Sequence, residues 1–134
     1  EKGNLPTPFL RRCLYFYLKF PNTLEELQKI VEIHYQINAE KLGSEAPEDD
    51  FKTTAIQWFL EVRKDKGLFK LPGTSEFLDW LHALQSFDSS PYSIANLKDE
   101  KQPLPYLELL FKMRQDWQNY KSKSKDKIKS KPAA

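Results

Sequence analysis

The feature that most constrains this chain is a series of segments in which apolar residues recur every three or four positions. Such spacing places the apolar side chains on one face of an α-helix. The first segment opens at Thr23-Leu24-Glu25-Glu26, a capping box in which the Thr hydroxyl accepts from the third helical amide and Glu26 reaches back. The apolar faces are Leu24, Leu27, Ile30, Val31 and His34; Phe51, Ala55, Trp58, Phe59 and Val62; Phe77, Leu78, Leu81 and Leu84; and Leu107, Leu110, Phe111, Arg114 and Trp117. The sequence therefore predicts an all-α fold, a small helical bundle.

Caps and breaks separate these predicted helices. Small and acidic residues occupy 43–49, and either Asp49 or Asp50 is the predicted cap of the second helix. Pro105 suits the first position of the last helix, because its missing N–H is not needed there. A short helical turn is also predicted around residues 92–97.

One segment has a different period. CLYFYLKF, residues 13–20, alternates like a strand, is rich in aromatic residues and is nearly apolar on both faces. Such a strand belongs inside a sheet, yet no other segment supplies a partner strand. The chain also starts at Glu1 without an initiator Met, so we expect a fragment of a larger protein, with one N-terminal strand left over from an absent α/β core.

Charge is distributed unevenly along the 134 residues. The last segment, KSKSKDKIKSKPAA (residues 121–134), has six lysines against Asp126 and a net charge of +5, which leaves −3 for residues 1–120. Alternating Lys and Ser cannot bury apolar surface, so we predict that this tail is disordered. It is interpreted either as a solubilising tail without a partner, which we favour, or as a contact for the phosphates of nucleic acid or anionic lipid.

The sequence lacks the patterns of a complete enzyme site. Neither G-x-x-x-x-G-K-[ST] nor G-x-G-x-x-G occurs, and four glycines leave little for a phosphate cradle. The acidic run at residues 48–50 follows a loop, which favours a helix cap over a magnesium site. His34 and His82 lie on different predicted helices without Cys or carboxylate at ligand spacing. No metal site is therefore expected in this chain.

Cysteine content and hydropathy bear on the compartment. The single cysteine, Cys13, excludes an internal disulfide and fits a reducing environment. No apolar run approaches the ~20 residues of a membrane-spanning helix, and no leader-like segment opens the chain. We therefore expect a soluble, cytoplasmic protein without a membrane partner.

Two adjacent arginines stand directly before the predicted strand, in LPTPFLRR (residues 5–12). A guanidinium beside an interior strand is costly without a partner, and its fixed charge and planar fork suit phosphate. The residues alone leave two interpretations: Arg11 and Arg12 bind phosphate, or they are surface arginines that cap a short helix.

Taken in order, several segments resemble the MoxR-like ATPases of the AAA+ superfamily. LPTPFLRRCLYFYLKFP (5–21) is similar to that family's L-P-x-A-F-L-R-R-C stretch after sensor 1 and the strand that follows it, which ends in F-P. TLEELQKIVEIHY (23–35) looks like a lid helix, and LPGTSEFLDWLHAL (71–84) resembles the K-P-S-T-S-E-L-L-D-W segment. PLPYLELLFKMRQDW (103–117) resembles the closing L-x-x-L-x-K-x-x-x-D. The resemblance covers roughly residues 1–120.

This resemblance implies three parts in the chain. Residues 1–21 would be the C-terminal end of the AAA+ core, residues 22–120 the helical lid domain, and residues 121–134 a tail outside the family pattern. The phosphate loop, the acidic magnesium motif and sensor 1 would all lie upstream. ATP and Mg²⁺ would thus belong to the parent ATP hydrolase, a hexameric chaperone-like remodeller, and none is expected on the fragment.

The resemblance also implies site residues and partners. Arg11 and Arg12 fall where these ATPases carry the arginine finger, which reaches the γ-phosphate bound by a neighbouring subunit. Sensor 2 of many lids is an Arg near the start of the third lid helix; this chain has Gly73-Thr74-Ser75-Glu76 there, and Lys70 is the nearest cation and our candidate. The implied partners are the absent core domain, neighbouring subunits and a protein with a von Willebrand A domain. The alternative function is a free-standing helical module that binds nucleic acid or a protein through its basic tail.

Overall fold

The computed structural model describes residues 6–10, 18–43, 45–86 and 93–130, and within these ranges the chain is a small helical bundle without strands. This confirms the all-α prediction. The elements are α1 (Thr7–Leu10), α2 (Leu24–Leu42), α3 (Asp49–Arg63), α4 (Thr74–Ser86), α5 (Ile94–Lys98), a 3₁₀ turn η1 (Leu107–Leu109) and α6 (Arg114–Ser130). Helix α3 packs against α2 and α5, and η1 packs against α4 and α6.

Helix α2 begins and ends as its sequence predicts. The Glu26 amide donates to Thr23 Oγ1 and the Thr23 amide donates to the Glu26 carboxylate, which together form the predicted capping box. Gly43 ends the helix in the left-handed region (φ 63°), where a side chain would be strained. On the inner face, Tyr35 donates to Gln85 Oε1 of α4 at 2.6 Å, and burial raises the pKa of Tyr35 to about 12.

Helix α3 supplies the centre of the bundle. Its N-cap is Glu48, which makes no side-chain cap bond, so Asp49 and Asp50 lie in the first turn rather than at the predicted cap. Lys52 on this helix is 3 % exposed and pairs with Asp49 and Glu32. Burial alone would lower the pKa of Lys52, but the hydrogen bonds and charges of these two carboxylates raise it above its usual value.

The core is largely aromatic where α3 meets α4. The rings of Phe59 and Phe77 stack with centroids 4.6 Å apart, and Trp80 lies 6.4 Å from Phe77. Such pairs add to the stabilisation that comes from burial alone. The buried apolar residues that complete the core are Leu27, Val31, Tyr35, Ala55, Ile56, Val62, Leu81, Leu84, Leu97, Leu107, Leu110 and Phe111.

The segment after Pro105 differs from the prediction of one helix from that residue onward. Tyr106 has a left-handed backbone (φ 55°), and only the short turn η1 follows before α6 begins at Arg114. The indole N–H of Trp80 donates to the carbonyl of Pro105 at 2.8 Å. This carbonyl is therefore used by the core, and the left-handed residue after it cannot begin a continuous α-helix.

The basic segment also differs from its prediction. Disorder was expected from Lys121 onward, whereas residues 121–130 continue α6 and only residues 131–134 lie outside the described part of the chain. Two contacts accompany this helix: Lys123 pairs with Asp65 at 3.0 Å, and Lys121 lies over the ring of Trp117 at 5.0 Å. The composition of this segment shows that it has little apolar surface, but it does not reveal the side-chain contacts of Lys121 and Lys123. The prediction of disorder is therefore wrong for residues 121–130.

The N-terminal predictions are only partly covered. Residues 18–20 of the predicted strand are described and do not form a strand, while residues 13–17 lie outside the described residues, as do Arg11 and Arg12. The short helix α1 ends at Leu10, directly before the arginine pair.

Candidate functional site

The loop between α3 and α4, residues 64–73, carries the sensor 2 candidate Lys70. It also exposes apolar side chains: Phe69 is 67 % exposed and Leu71 is 44 % exposed. The Lys70 side chain is exposed too, and within the described part of the chain it makes no ion pair. The loop thus presents one cation between two apolar side chains, and the contacts of its backbone decide how firmly they are presented.

Asp116 of α6 holds the backbone at Phe69 and at Lys70 itself. Its carboxylate is fully buried and accepts from the amide of Phe69 at 2.9 Å through Oδ1 and from the amide of Lys70 at 3.0 Å through Oδ2. Asp116 lies in the first turn of α6, where the helix dipole also favours a negative charge. A buried carboxylate with both oxygens used in this way fixes the position from which the Lys70 side chain extends.

The C-terminal end of the loop is held by Glu76 of α4, which in turn contacts Lys112 just before α6. Glu76 in the first turn of α4 accepts from the amide of Gly73 at 2.8 Å, and its carboxylate lies 3.5 Å from the ammonium of Lys112. Lys112 and Asp116 are four residues apart. The segment that opens α6 therefore holds the loop at Lys70 and, through Glu76, the loop at Gly73.

A third contact comes from the end of α3. Arg63 donates from Nη1 to the carbonyl of Pro72, and its guanidinium lies 3.5 Å from the ring centroid of Phe20. Burial lowers the pKa of Arg63. Because a guanidinium can stack on a ring while its N–H groups still donate in its plane, one residue joins the incoming chain at Phe20 to the α3–α4 loop.

The N-terminal part of the loop makes a turn around a second carboxylate. Asp65 accepts from the amide of Gly67 at 2.8 Å and pairs with Lys123 of α6. The hydrogen bond from Gly67 and the charge of Lys123 hold the pKa of Asp65 below its usual value. The start and the middle of the loop are thus connected to α6 through Lys123 and Asp116, which lie two turns apart on that helix.

The arrangement presents a cation from a fixed backbone. The loop backbone is fixed by Asp116, Glu76 and Arg63, while the amine of Lys70 remains available to an anion outside the chain. Among the described residues, no group of three or more His, Cys, Asp or Glu side chains is placed to hold a metal ion. What this geometry offers is the positioning of one amine.

The structure brings together only some of the residues singled out from the sequence. Lys70 has the contacts described above, whereas Arg11 and Arg12 lie outside the described residues. Sequence reasoning gave no role to Asp116 or Glu76, although Asp116 is the acid of the closing L-x-x-L-x-K-x-x-x-D segment and Glu76 lies in the segment 71–84. The signal that could have identified Asp116 is a lone acid among polar residues at a helix start, four residues after a lysine.

One cleft of about 610 Å³ lies between α3, residues 100–104 and α6. Its lining includes Trp58, Asp65 and Tyr120. Asp65 is paired with Lys123 across this cleft. The carboxylate of Asp65 therefore has less uncompensated charge with which to bind a ligand. A separate property concerns membranes: none of the helices in the described ranges is long and apolar enough to cross one.

Comparisons with known proteins give no match. No protein-family model matches the chain, and no curated protein and no solved structure shows significant similarity to it. The resemblance to MoxR-like ATPases therefore remains a prediction from the ordered series of sequence segments. The roles of Arg11, Arg12 and Lys70 remain predictions with it.

Proposed function

We propose that this chain is the lid portion of a MoxR-like AAA+ ATPase, with residues 1–21 forming the end of the nucleotide-binding core. In this proposal the chain hydrolyses nothing alone. The core domain binds ATP and Mg²⁺, and the helical bundle closes over the nucleotide and relays motion between the subunits of a ring. The parent protein would act as a chaperone-like remodeller, with a von Willebrand A-domain protein as a partner.

The observation that carries the proposal is the contact between two segments that resemble the family at separate places. Residues 71–84 resemble one family segment and residues 103–117 resemble the closing one. In the structure, Lys112 of the closing segment pairs with Glu76 of the first segment, and Asp116 of the closing segment binds the amides of Phe69 and Lys70 directly before it. A loop that carries a nucleotide-sensing cation has to be held firmly, since misplacement of a positioning group by about 1 Å costs as much as 10²-fold in rate.

Two parts of the chain would contact nucleotide in this proposal. Arg11 and Arg12 would supply the arginine finger, which stabilises charge that develops on the γ-phosphate of a neighbouring subunit and contributes roughly 10³–10⁵ in rate. Lys70 would meet the phosphates within its own subunit and report whether nucleotide is bound. Its exposed neighbours Phe69 and Leu71 supply an apolar surface for the core domain to cover.

The test uses the full-length protein and measures ATP turnover against ATP concentration. Changing Arg11 and Arg12 to Ala should lower kcat by about 10³ or more with little change in KM. Lys70→Ala should mainly raise KM, because it removes a ground-state contact with phosphate. Lys66→Ala, an exposed lysine of the same loop, is the matched control and should change neither parameter.

Two outcomes would contradict the proposal. Turnover that stays unchanged in Arg11→Ala, Arg12→Ala and the double variant would remove the arginine-finger assignment. A gene that encodes no G-x-x-x-x-G-K-[ST] loop within about 200 residues upstream, the scale of one domain, would remove the ATPase itself.

A further inference from the structure

The lysines of α6 alternate along the sequence but divide between two faces of the helix. Each residue turns the helix by about 100°, so residues two apart point to nearly opposite sides and residues four apart share a side. Lys121, Lys125 and Lys129 therefore share one face, and Lys123 and Lys127 share the other. This second face meets the bundle, where Lys123 pairs with Asp65 and Lys127 lines the cleft.

The first face is a solvent-exposed row of cations. Arg114 lies two turns before Lys121 on the same side, and we call Arg114, Lys121, Lys125 and Lys129 the outer basic face. All four are exposed. Within the described part of the chain, Arg114, Lys125 and Lys129 have no acidic partner, and Lys121 lies over the half-buried ring of Trp117 at 5.0 Å.

We propose that the outer basic face binds single-stranded nucleic acid. From Arg114 to Lys129 the face extends about 22 Å along the helix, and its three lysines recur about every 6 Å. A regular row of cations matches the regular row of phosphates on one strand, whose binding releases condensed counterions. Trp117, beside Lys121, offers a ring on which an unpaired base can stack.

The composition of this face favours nucleic acid over an anionic membrane. A helix that lies on a lipid surface needs an apolar face to bury at the headgroup boundary. The described side chains beside the cations are Gln118, Ser122, Asp126 and one indole, and the opposite side of α6 is used by Asp116 and Tyr120 in the bundle. The inference depends on α6 alone and stands whether or not the ATPase assignment holds.

The experiment measures binding of this chain to a fluorescent oligothymidylate by anisotropy, between about 50 and 200 mM salt. The test variant is Lys121→Gln, Lys125→Gln and Lys129→Gln together. The matched control carries Lys29→Gln, Lys66→Gln and Lys101→Gln, which are exposed lysines on other elements and give the same net charge. Circular dichroism shows whether each variant keeps its helix content.

We expect the wild-type chain to bind at the lower salt concentration. The outer-face variant should lose about 2 units of the slope of log K against log salt, because three phosphate contacts on a single strand contribute about 0.7 each. The control should keep the wild-type slope. The oligonucleotide should also quench tryptophan fluorescence, and Trp117→Phe should abolish that quenching, since Trp80 is fully buried and Trp58 lines the cleft on the opposite side of α6.

Several results would overturn the proposal. Absence of binding by the wild-type chain at about 50 mM salt would remove it. An equal loss in the test variant and the control would show a response to net charge without a site. Binding to phosphatidylserine vesicles with none to the oligonucleotide would assign the face to lipid. Quenching that persists in Trp117→Phe would remove the stacking contact.

Discussion

The two halves of α6 are one continuous helix but are held by different forces. In the first half, residues 114–120, Asp116 is fully buried and binds two amides of the α3–α4 loop, and Tyr120 packs on Phe111 with ring centroids 5.4 Å apart. In the second half, residues 121–130, the described lysines are exposed, and Lys123 pairs with Asp65 of the α3–α4 loop.

The difference teaches that helical continuity does not imply uniform stability. A hydrogen bond from an amide to a buried carboxylate is worth about 1.5–3 kcal/mol, whereas an exposed ion pair contributes about 0–1 kcal/mol and is screened by salt. Opening of the second half should therefore cost much less free energy than opening of the first. It follows that the second half of α6 can open, with loss of the Lys123–Asp65 pair, while Asp116 still holds the loop at Lys70.

The largest expected effect comes from Asp116→Ala. This change leaves the amides of Phe69 and Lys70 without their acceptor, so the free energy of unfolding should fall by about 2–4 kcal/mol. Urea denaturation of the chain measures this loss. Hydrogen exchange at the amides of residues 69 and 70 should accelerate at the same time, because their protection comes from this carboxylate.

Asp116→Asn is the control for this prediction. Its side chain keeps one acceptor oxygen of the same size and position, so about half of the loss should be recovered. A loss below about 1 kcal/mol for Asp116→Ala, with unchanged exchange at residues 69 and 70, would contradict the view that this carboxylate holds the loop.

Sequence reasoning succeeded where a local rule decides the structure. The capping box at Thr23, the apolar faces of α2, α3 and α4, and the short helix within the connection after α4 could all be predicted. Each depends on residues a few positions apart, and helix formation is mostly a matter of such short-range spacing.

Sequence reasoning failed where a partner distant in the chain decides the structure. Pro105 was expected to open a helix, but its carbonyl serves Trp80, 25 residues away. The end of the fold was placed before Lys121, but Lys123 pairs with Asp65, 58 residues away. Asp116 bonds 46 and 47 residues back along the chain. The candidate site is built from such distant contacts, so Lys70 could be proposed from the sequence but its support could not.

A smaller effect is expected from Asp65, which joins the loop to the second half of α6. The folded pKa of this carboxyl is depressed by the Gly67 amide and by Lys123. Its contribution is therefore complete above the unfolded pKa, near 3.9, and is lost as pH falls through the lower folded value. Asp65→Asn should cost about 1 kcal/mol at pH 7, and this difference from the wild type should shrink toward zero in acid.

Paired denaturation curves at neutral and acid pH measure that difference. Lys123→Gln is the matched control, because it removes the ion pair and leaves the hydrogen bond from Gly67. It should reproduce less than half of the Asp65→Asn effect, since the amide is the larger cause of the pKa shift. A difference between Asp65→Asn and the wild type that stays constant with pH would contradict the linkage.

The smallest effect is expected from the largest change, the removal of residues 125–134. The hydrogen bond described within residues 125–130, from Ser130 Oγ to the carbonyl of Lys127, stays inside α6, and the ion pair of Lys123 is retained. The free energy of unfolding should therefore change by no more than about 0.5 kcal/mol, as for surface positions away from buried contacts. Removal of two further residues, Lys123 and Ser124, should add a loss of less than about 1 kcal/mol.

If the shorter truncation instead cost as much as Asp116→Ala, the two halves of α6 would be equally bound to the bundle. The segment that carries the outer basic face would then contribute to stability as much as the first half does, and the difference between the two halves of α6 would be disproved.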